Sequence, residues 1–332
     1  MADNTHYFHA EAHALTGKLD RPFTEEIKKQ AFVKLEGDLA KMPEEQRAQR
    51  NYFSQHAKNF RLEGIISYAA AHTQVSGHES KKHPGASVTL ATTVVEDLNV
   101  LNVVTADRVV AQISTTHYPD ESSPKVTFLG THFENLRIAR HKAEPFLNLD
   151  LAGARPEKAK LYVEKGTSLM VGVEAQYKRL KAGLAGLSAD VRKGMHPENP
   201  DGSLVKQYHG FSDLNYGDIQ GKAKAAYADD TTWDGITCSL VENVEIKDIS
   251  VKAADGKAIQ IPPPAKSFGH MIHIPDFGTV FLAELKVNHN SFGLTMIRLE
   301  LGCLADGKVS VVVCNVNGKG HPSPPPPPPP TH

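Results

Sequence analysis

A chain of 332 residues with 40% hydrophobic and 23% charged side chains has the composition of a folded protein, with enough length for one large core or two ordinary ones. Its 37 basic and 38 acidic residues give a formal net charge of -1, which removes the electrostatic case for general nucleic-acid binding. No run approaches the roughly 20 apolar residues of a membrane-spanning helix. Met1 to His6 shows neither the basic lead-in nor the apolar stretch of a secretory leader, so the expectation is a cytoplasmic protein without a membrane span.

Residues 1–60 read as a mostly helical arm. Ile27, Ala31, Leu35 and Leu39 recur every four positions, along one face of a helix that Thr24 caps and Glu25 and Glu26 suit electrostatically. Pro43 with Glu44 and Glu45 opens a second helix carrying Tyr52, Phe53 and Ala57 toward Phe60. Ahead of both, His6, His9 and His13 occupy i, i+3 and i+7, a spacing that in a helix presents three imidazoles to one metal ion, with Glu11 on another face.

Residues 61–150 are β-rich. Val94 to Ile113 is strongly apolar, and its alternation slips between Val100 and Leu101, as at a bulge or bend. Val126, Phe128, Phe133, Leu136 and Ile138 supply later strands. Residues 154–232 then form a helical and loop-rich insertion. Val173, Tyr177, Leu180, Leu184, Leu187 and Val191 make one seam of an amphipathic helix, which Gly172, Gly183 and Gly186 weaken in isolation. The long loop beyond carries Tyr216, Tyr227 and Trp233, candidate stacking surface for a carbohydrate or other ligand. Asp229, Asp230 and Asp234 gather hard oxygen ligands there, without the spacing of a calcium loop.

Residues 236–317 show the clearest pattern. Phe281, Ala283, Leu285 and Val287 alternate with other side chains, then Ile297, Leu299 and Leu301, then Val309, Val311 and Val313, with turn compositions at 288–291 and at Asp306-Gly307. Asp255-Gly256 marks a hairpin between 246–251 and 259–261. His270 and His273 lie three apart, which on a strand turns them to opposite sides. Asp276-Phe277-Gly278 reads as a turn.

The tail, 318–332, carries seven consecutive prolines, Pro324 to Pro330, which force an extended polyproline helix. It reads as a stiff spacer, with an aromatic-lined groove as the alternative partner. Cys238, Cys303 and Cys314 are odd in number and lack a C-x-x-C, so buried free thiols are expected. The nucleophile-elbow, P-loop, H-E-x-x-H and dinucleotide signatures are all missing, and no cofactor is implied.

Leu98-Asn99-Val100-Leu101 with Val103-Val104-Thr105-Ala106-Asp107, the F-x-x-L-x-I pattern from Phe133 to Ile138, and Phe292 to Leu299 together resemble the bacterial β proteins called choice-of-anchor proteins. The resemblance covers about half the chain. It implies a β architecture and a surface-attached protein, and it carries no catalytic residue.

The expected fold is mainly β (α+β): a β-sandwich or jelly-roll-like body over 61–317, with an N-terminal helical arm outside it and a helical insertion at 154–232. Two separate β domains are the alternative. The first functional expectation is a non-catalytic structural protein that self-associates. The second is a carbohydrate- or ligand-binding module, and the third a histidine-dependent metalloenzyme.

Overall fold

The computed structural model describes residues 7–38, 52–119, 123–157, 160–185, 235–252, 257–288, 291–302 and 305–317. The fold is mainly β, as expected: two large antiparallel sheets face each other across a common core, with one helix among the described residues.

The first sheet contains β1 (Tyr7–Arg21), β2 (Glu25–Gln30), β3 (Val33–Asp38), β12 (Ile236–Ser239), β16 (Lys266–Phe268), β17 (Met271–Ile274), β18 (Gly278–Asn288), β19 (Ser291–Leu301) and β20 (Asp306–Asn317). Its order is β16-β17-β18-β19-β20-β1-β2, with β3 paired to the other half of β1 and β12 paired to β18. The second sheet contains β4 (Tyr52–Leu62), β5 (Ile66–Glu79), β6 (Ser87–Val100), β7 (Val104–His117), β8 (Lys125–Thr127), β9 (His132–Glu134), β10 (Arg137–Ile138), β11 (His141–Leu147) and β13 (Val241–Ile246). Its path runs β13-β11-β10-β7-β6-β5-β4. A separate ribbon, β14 (Ile249–Lys252) with β15 (Ala258–Ile261), joins the two sheets in sequence.

The helical arm is overturned: the described part of residues 1–60 is strand. Ile27 and Leu35 are buried in β2 and β3, and Ala31 sits in the left-handed turn between them (φ 47°). A repeat of four is also twice a repeat of two, so the same spacing marks one face of a strand. Val33 and Leu35 alternating with Lys34 and Glu36 are the resolving signal. Tyr52, Phe53, Ala57 and Phe60 lie in β4, an edge strand mostly exposed on both faces, which therefore shows no clean period. Leu39 and the stretch Pro43 to Glu45 fall outside the described residues. Far from being an outside arm, β1 is a central strand whose Ala10, Ala12, Ala14 and Leu15 are fully buried.

Alternation breaks along one line in each sheet. In the first sheet the line passes through Ala283 (φ 47°), Met296, Val312 (φ 58°) and Ala14, on four neighbouring strands. There two consecutive residues on each strand enter the core: Leu282 with Ala283, Met296 with Ile297, Val311 with Val312, Ala14 with Leu15. In the second sheet the line passes through Asn59 (φ 55°), Ala69, Asp97 (φ 53°) and Asp107, and two consecutive residues per strand turn outward. Two successive side chains on one face bend a strand. The slip expected at Val100 to Leu101 is instead the β6–β7 turn, where Leu101 and Asn102 both have positive φ (51° and 54°). The phase change itself lies at Glu96 and Asp97.

The helix α1 (Ser168–Ala185) lies within the expected insertion. Thr167 caps it, its Oγ1 accepting from the Met170 amide at 3.3 Å. Val173, Tyr177 and Leu180 of the expected seam are buried, whereas Leu187 and Val191 lie outside the described residues. The glycine at 172 allows a close approach, since a β-carbon there would stand 2.8 Å from Leu151 Cδ1. Gln176 ties the helix to β12, accepting from the Ser239 amide (3.1 Å) and donating to its carbonyl.

Polar contacts to backbone carbonyls cross between the sheets, among them Thr73 Oγ1 to Ala31 (2.5 Å) and Cys314 Sγ to Ala111 (3.6 Å). The Thr93 hydroxyl on β6 donates to the Val313 carbonyl on β20 (3.0 Å) and meets Cys314 Sγ at 3.3 Å. Cys238 and Cys314 are buried free thiols, as expected, and Cys303 lies outside the described residues. Thr93→Val keeps the shape and removes the donor, stranding a buried acceptor. The expected loss is about 1–3 kcal/mol in urea unfolding, with Thr93→Ser close to wild type.

Candidate functional site

The residues singled out for stacking, Tyr216, Tyr227 and Trp233, and the oxygen cluster Asp229, Asp230 and Asp234 all lie outside the described residues, as does His6. His9 and His13 are described, and the structure replaces the helix on which their metal geometry depended. On β1 they stand four residues apart on a strand, about 13 Å between α-carbons, too far for one ion. Glu11 shares their face rather than pointing elsewhere. It lies 3.8 Å from His9, 3.0 Å from the Lys29 ammonium and 3.7 Å from that of Lys34. Burial works to raise its pKa, but the hydrogen bond and charge of Lys29, with the charges of His9 and Lys34, hold it below the usual carboxylate range. Among the described residues, no three His, Cys, Asp or Glu side chains gather as a metal-binding group. His270 is fully buried and His273 partly so, and Asp276-Phe277-Gly278 is the β17–β18 turn, with Asp276 and Gly278 at positive φ.

The best organised polar cluster was not legible in sequence. Register pairs Arg298 of β19 with Phe281 of β18. The Arg298 guanidinium lies 3.6 Å from the Phe281 ring centroid and donates from Nε and Nη2 to both oxygens of Glu284 (2.5 and 2.9 Å). Its Nη1 donates to Glu300 at 2.6 Å. Arg298 is 17% exposed, Glu284 8% and Glu300 12%, so this planar fork is held nearly out of water. His270, fully buried, faces the same charges. Burial pushes its pKa down to about 4, with Glu284 opposing and Arg298 adding to the fall. Chemically, the cluster is a carboxylate pair clamped by one cation over an aromatic face. Its counterions are already in place, which makes it a fixed electrostatic joint between β18 and β19. The alternation of Arg298 and Glu300 was visible in sequence; the burial of that outer face was not.

A second pair joins β4 to β5: His56 and His72 stand directly opposite in the ladder, rings 4.3 Å apart.

His13 is 4% exposed, and neither ring nitrogen has a hydrogen-bond partner among the described residues. Burial lowers its pKa to about 4, with Lys29 adding to the fall and Glu11 opposing it. Two predictions arise from these clusters. Arg298→Met leaves Glu284 buried beside an apolar chain, with an expected loss of about 3–5 kcal/mol of stability by chemical denaturation. For the histidines, the folded pKa values lie below the unfolded value. The unfolded chain therefore binds the extra protons, and stability declines as pH falls from about 6.5 toward 4, by at most about 3 kcal/mol per group. His13→Leu is expected to flatten that decline and to raise stability at pH 7, read in urea melts between pH 7.5 and 4.5; carboxylates such as Glu11 act in a lower window.

The stretches carrying the resemblance to choice-of-anchor proteins fall in the β6–β7 hairpin, in β9 and β10 beside β7, and in β19. No curated protein and no solved structure matches the chain. One family profile does match, over residues 6–288, which spans β1 through the end of β18. The chain therefore belongs to the family described as a domain of unknown function (DUF8256).

Proposed function

We propose that the protein is a structural β scaffold that associates with further copies of itself through the β14–β15 ribbon. The observation that carries this reading is an apolar face left in solvent. Ile249 pairs with Ile261 and Val251 with Ile259, which places all four side chains on one side of the ribbon. Val251, Ile259 and Ile261 are 44%, 53% and 44% exposed. An isolated two-stranded ribbon is marginal in water, and clustered exposed apolar surface marks an interaction site.

A second copy fits this surface because its four paired side chains are uncharged and a two-fold axis lays them on themselves, isoleucine against isoleucine. Each side chain is already half covered, so burying it adds about 1 kcal/mol, and eight in a symmetric pair add about 8 kcal/mol. Association costs a comparable amount, so the contact is weak and concentration-dependent. Among the described residues no helix is long and apolar enough to cross a membrane. The choice-of-anchor resemblance supports a cell-surface setting for such assembly.

Light scattering coupled to size-exclusion chromatography is expected to show mass rising with protein concentration. Val251→Lys with Ile259→Lys is expected to hold the chain monomeric without unfolding it, since both side chains point into solvent. A monomer at every concentration, or undiminished association of the lysine variant, overturns the reading.

A further inference from the structure

We propose that His56 and His72 form a two-imidazole binding site for a borderline divalent cation such as zinc, copper or nickel on the outer face of the second sheet. The inference is independent of the ribbon. His56 of β4 and His72 of β5 are direct partners in an uninterrupted run of the ladder from Tyr52–Ser76 to Lys58–Ala70, so the backbone fixes their spacing. His72 Nδ1 lies 3.2 Å from His56 Nδ1 and 3.1 Å from His56 Nε2. A zinc–imidazole bond is about 2.0–2.1 Å, so two such nitrogens stand about 2.9 Å apart at a right angle and about 3.4 Å apart at the tetrahedral angle. The observed separations fall between those limits. The rings reach a shared ion by small side-chain rotations, with water completing the coordination.

The surroundings suit a neutral donor pair. Burial, then the neighbouring charge of His56, lowers the pKa of His72, while a hydrogen bond to Gln74 opposes the fall. Gln74 and Thr92 sit beside the pair on the same face, and Val94 of β6 lies across from His72. Charged groups on that face include Lys58 of β4 and Glu96 of β6, one register step away, with Arg108 of β7 and Glu134 of β9 farther across the ladder. His56 is exposed, so the site opens to solvent. Metal binding requires unprotonated imidazoles and weakens as the solution is acidified.

The chain carries 17 histidines, so the test must resolve single positions. The full chain is treated at pH 7.5 with a brief pulse of diethyl pyrocarbonate, with and without equimolar zinc chloride, and adducts are quantified by peptide mass spectrometry. Zinc is expected to cut modification of His56 and His72 together by severalfold and to leave exposed His78 unchanged. In His56→Ala, protection of His72 is expected to vanish, because losing one arm of a chelate weakens binding on the order of tenfold or more. Circular dichroism confirms that this outward substitution leaves the sheet intact. Unchanged reactivity of the pair with zinc, equal protection of His78, or persistent protection of His72 in His56→Ala overturns the proposal.

Discussion

Along Ala283, Met296, Val312 and Ala14, four adjacent strands each commit two successive side chains to the core, and the facing sheet does the reverse at Asn59, Ala69, Asp97 and Asp107. One sheet bends inward where the other bends outward, so the two surfaces stay in contact along their length. A long flat strand pair could not do this, because the natural twist carries the sheets apart. The arrangement has a cost. Val312 is β-branched and holds a left-handed backbone conformation, which strains it by about 1–3 kcal/mol. Burial of Val311 and Val312 in succession offsets that strain. In the second sheet the same conformation falls on Asn59 and Asp97, residue types that tolerate it.

That constraint explains what sequence could and could not reveal. The mainly β class was legible, because Ile297, Leu299 and Leu301 and the turns around 288–291 carry an unmistakable period of two. The inward set was misassigned at the phase change. Phe281 and Val313 look like members of the alternating core, yet Phe281 lies under Arg298 on the outer face, and Cys314 and Val316 take over inward positions beyond Val312. No propensity marks a change of phase when the residues on both sides are apolar.

The N-terminal strands were misread for a different reason. A fourfold repeat with acidic residues at its start satisfies helix rules, and pairing of β2 and β3 with β1 selects the extended form. The polar clusters were hidden likewise: His56 and His72 are 16 residues apart, and Glu284 and Arg298 are 14 apart, so register alone brings them together. By contrast, the spacing of His9 and His13 was conspicuous, and the strand sets their α-carbons about 13 Å apart.

β1 is bound along His9 to Arg21 to β20, whose residues Asn317 to Asp306 come almost last in the chain. A ribosome releases the first of these strands long before the second exists. Until β20 emerges, β1 has one unsatisfied edge, because β2 and β3 pair with its other edge. Closing so distant a pair is slow, and waiting edges invite mispairing between nascent chains. These two distant strands thus act as a clasp, and loss of β20 would leave β1 without its principal neighbour.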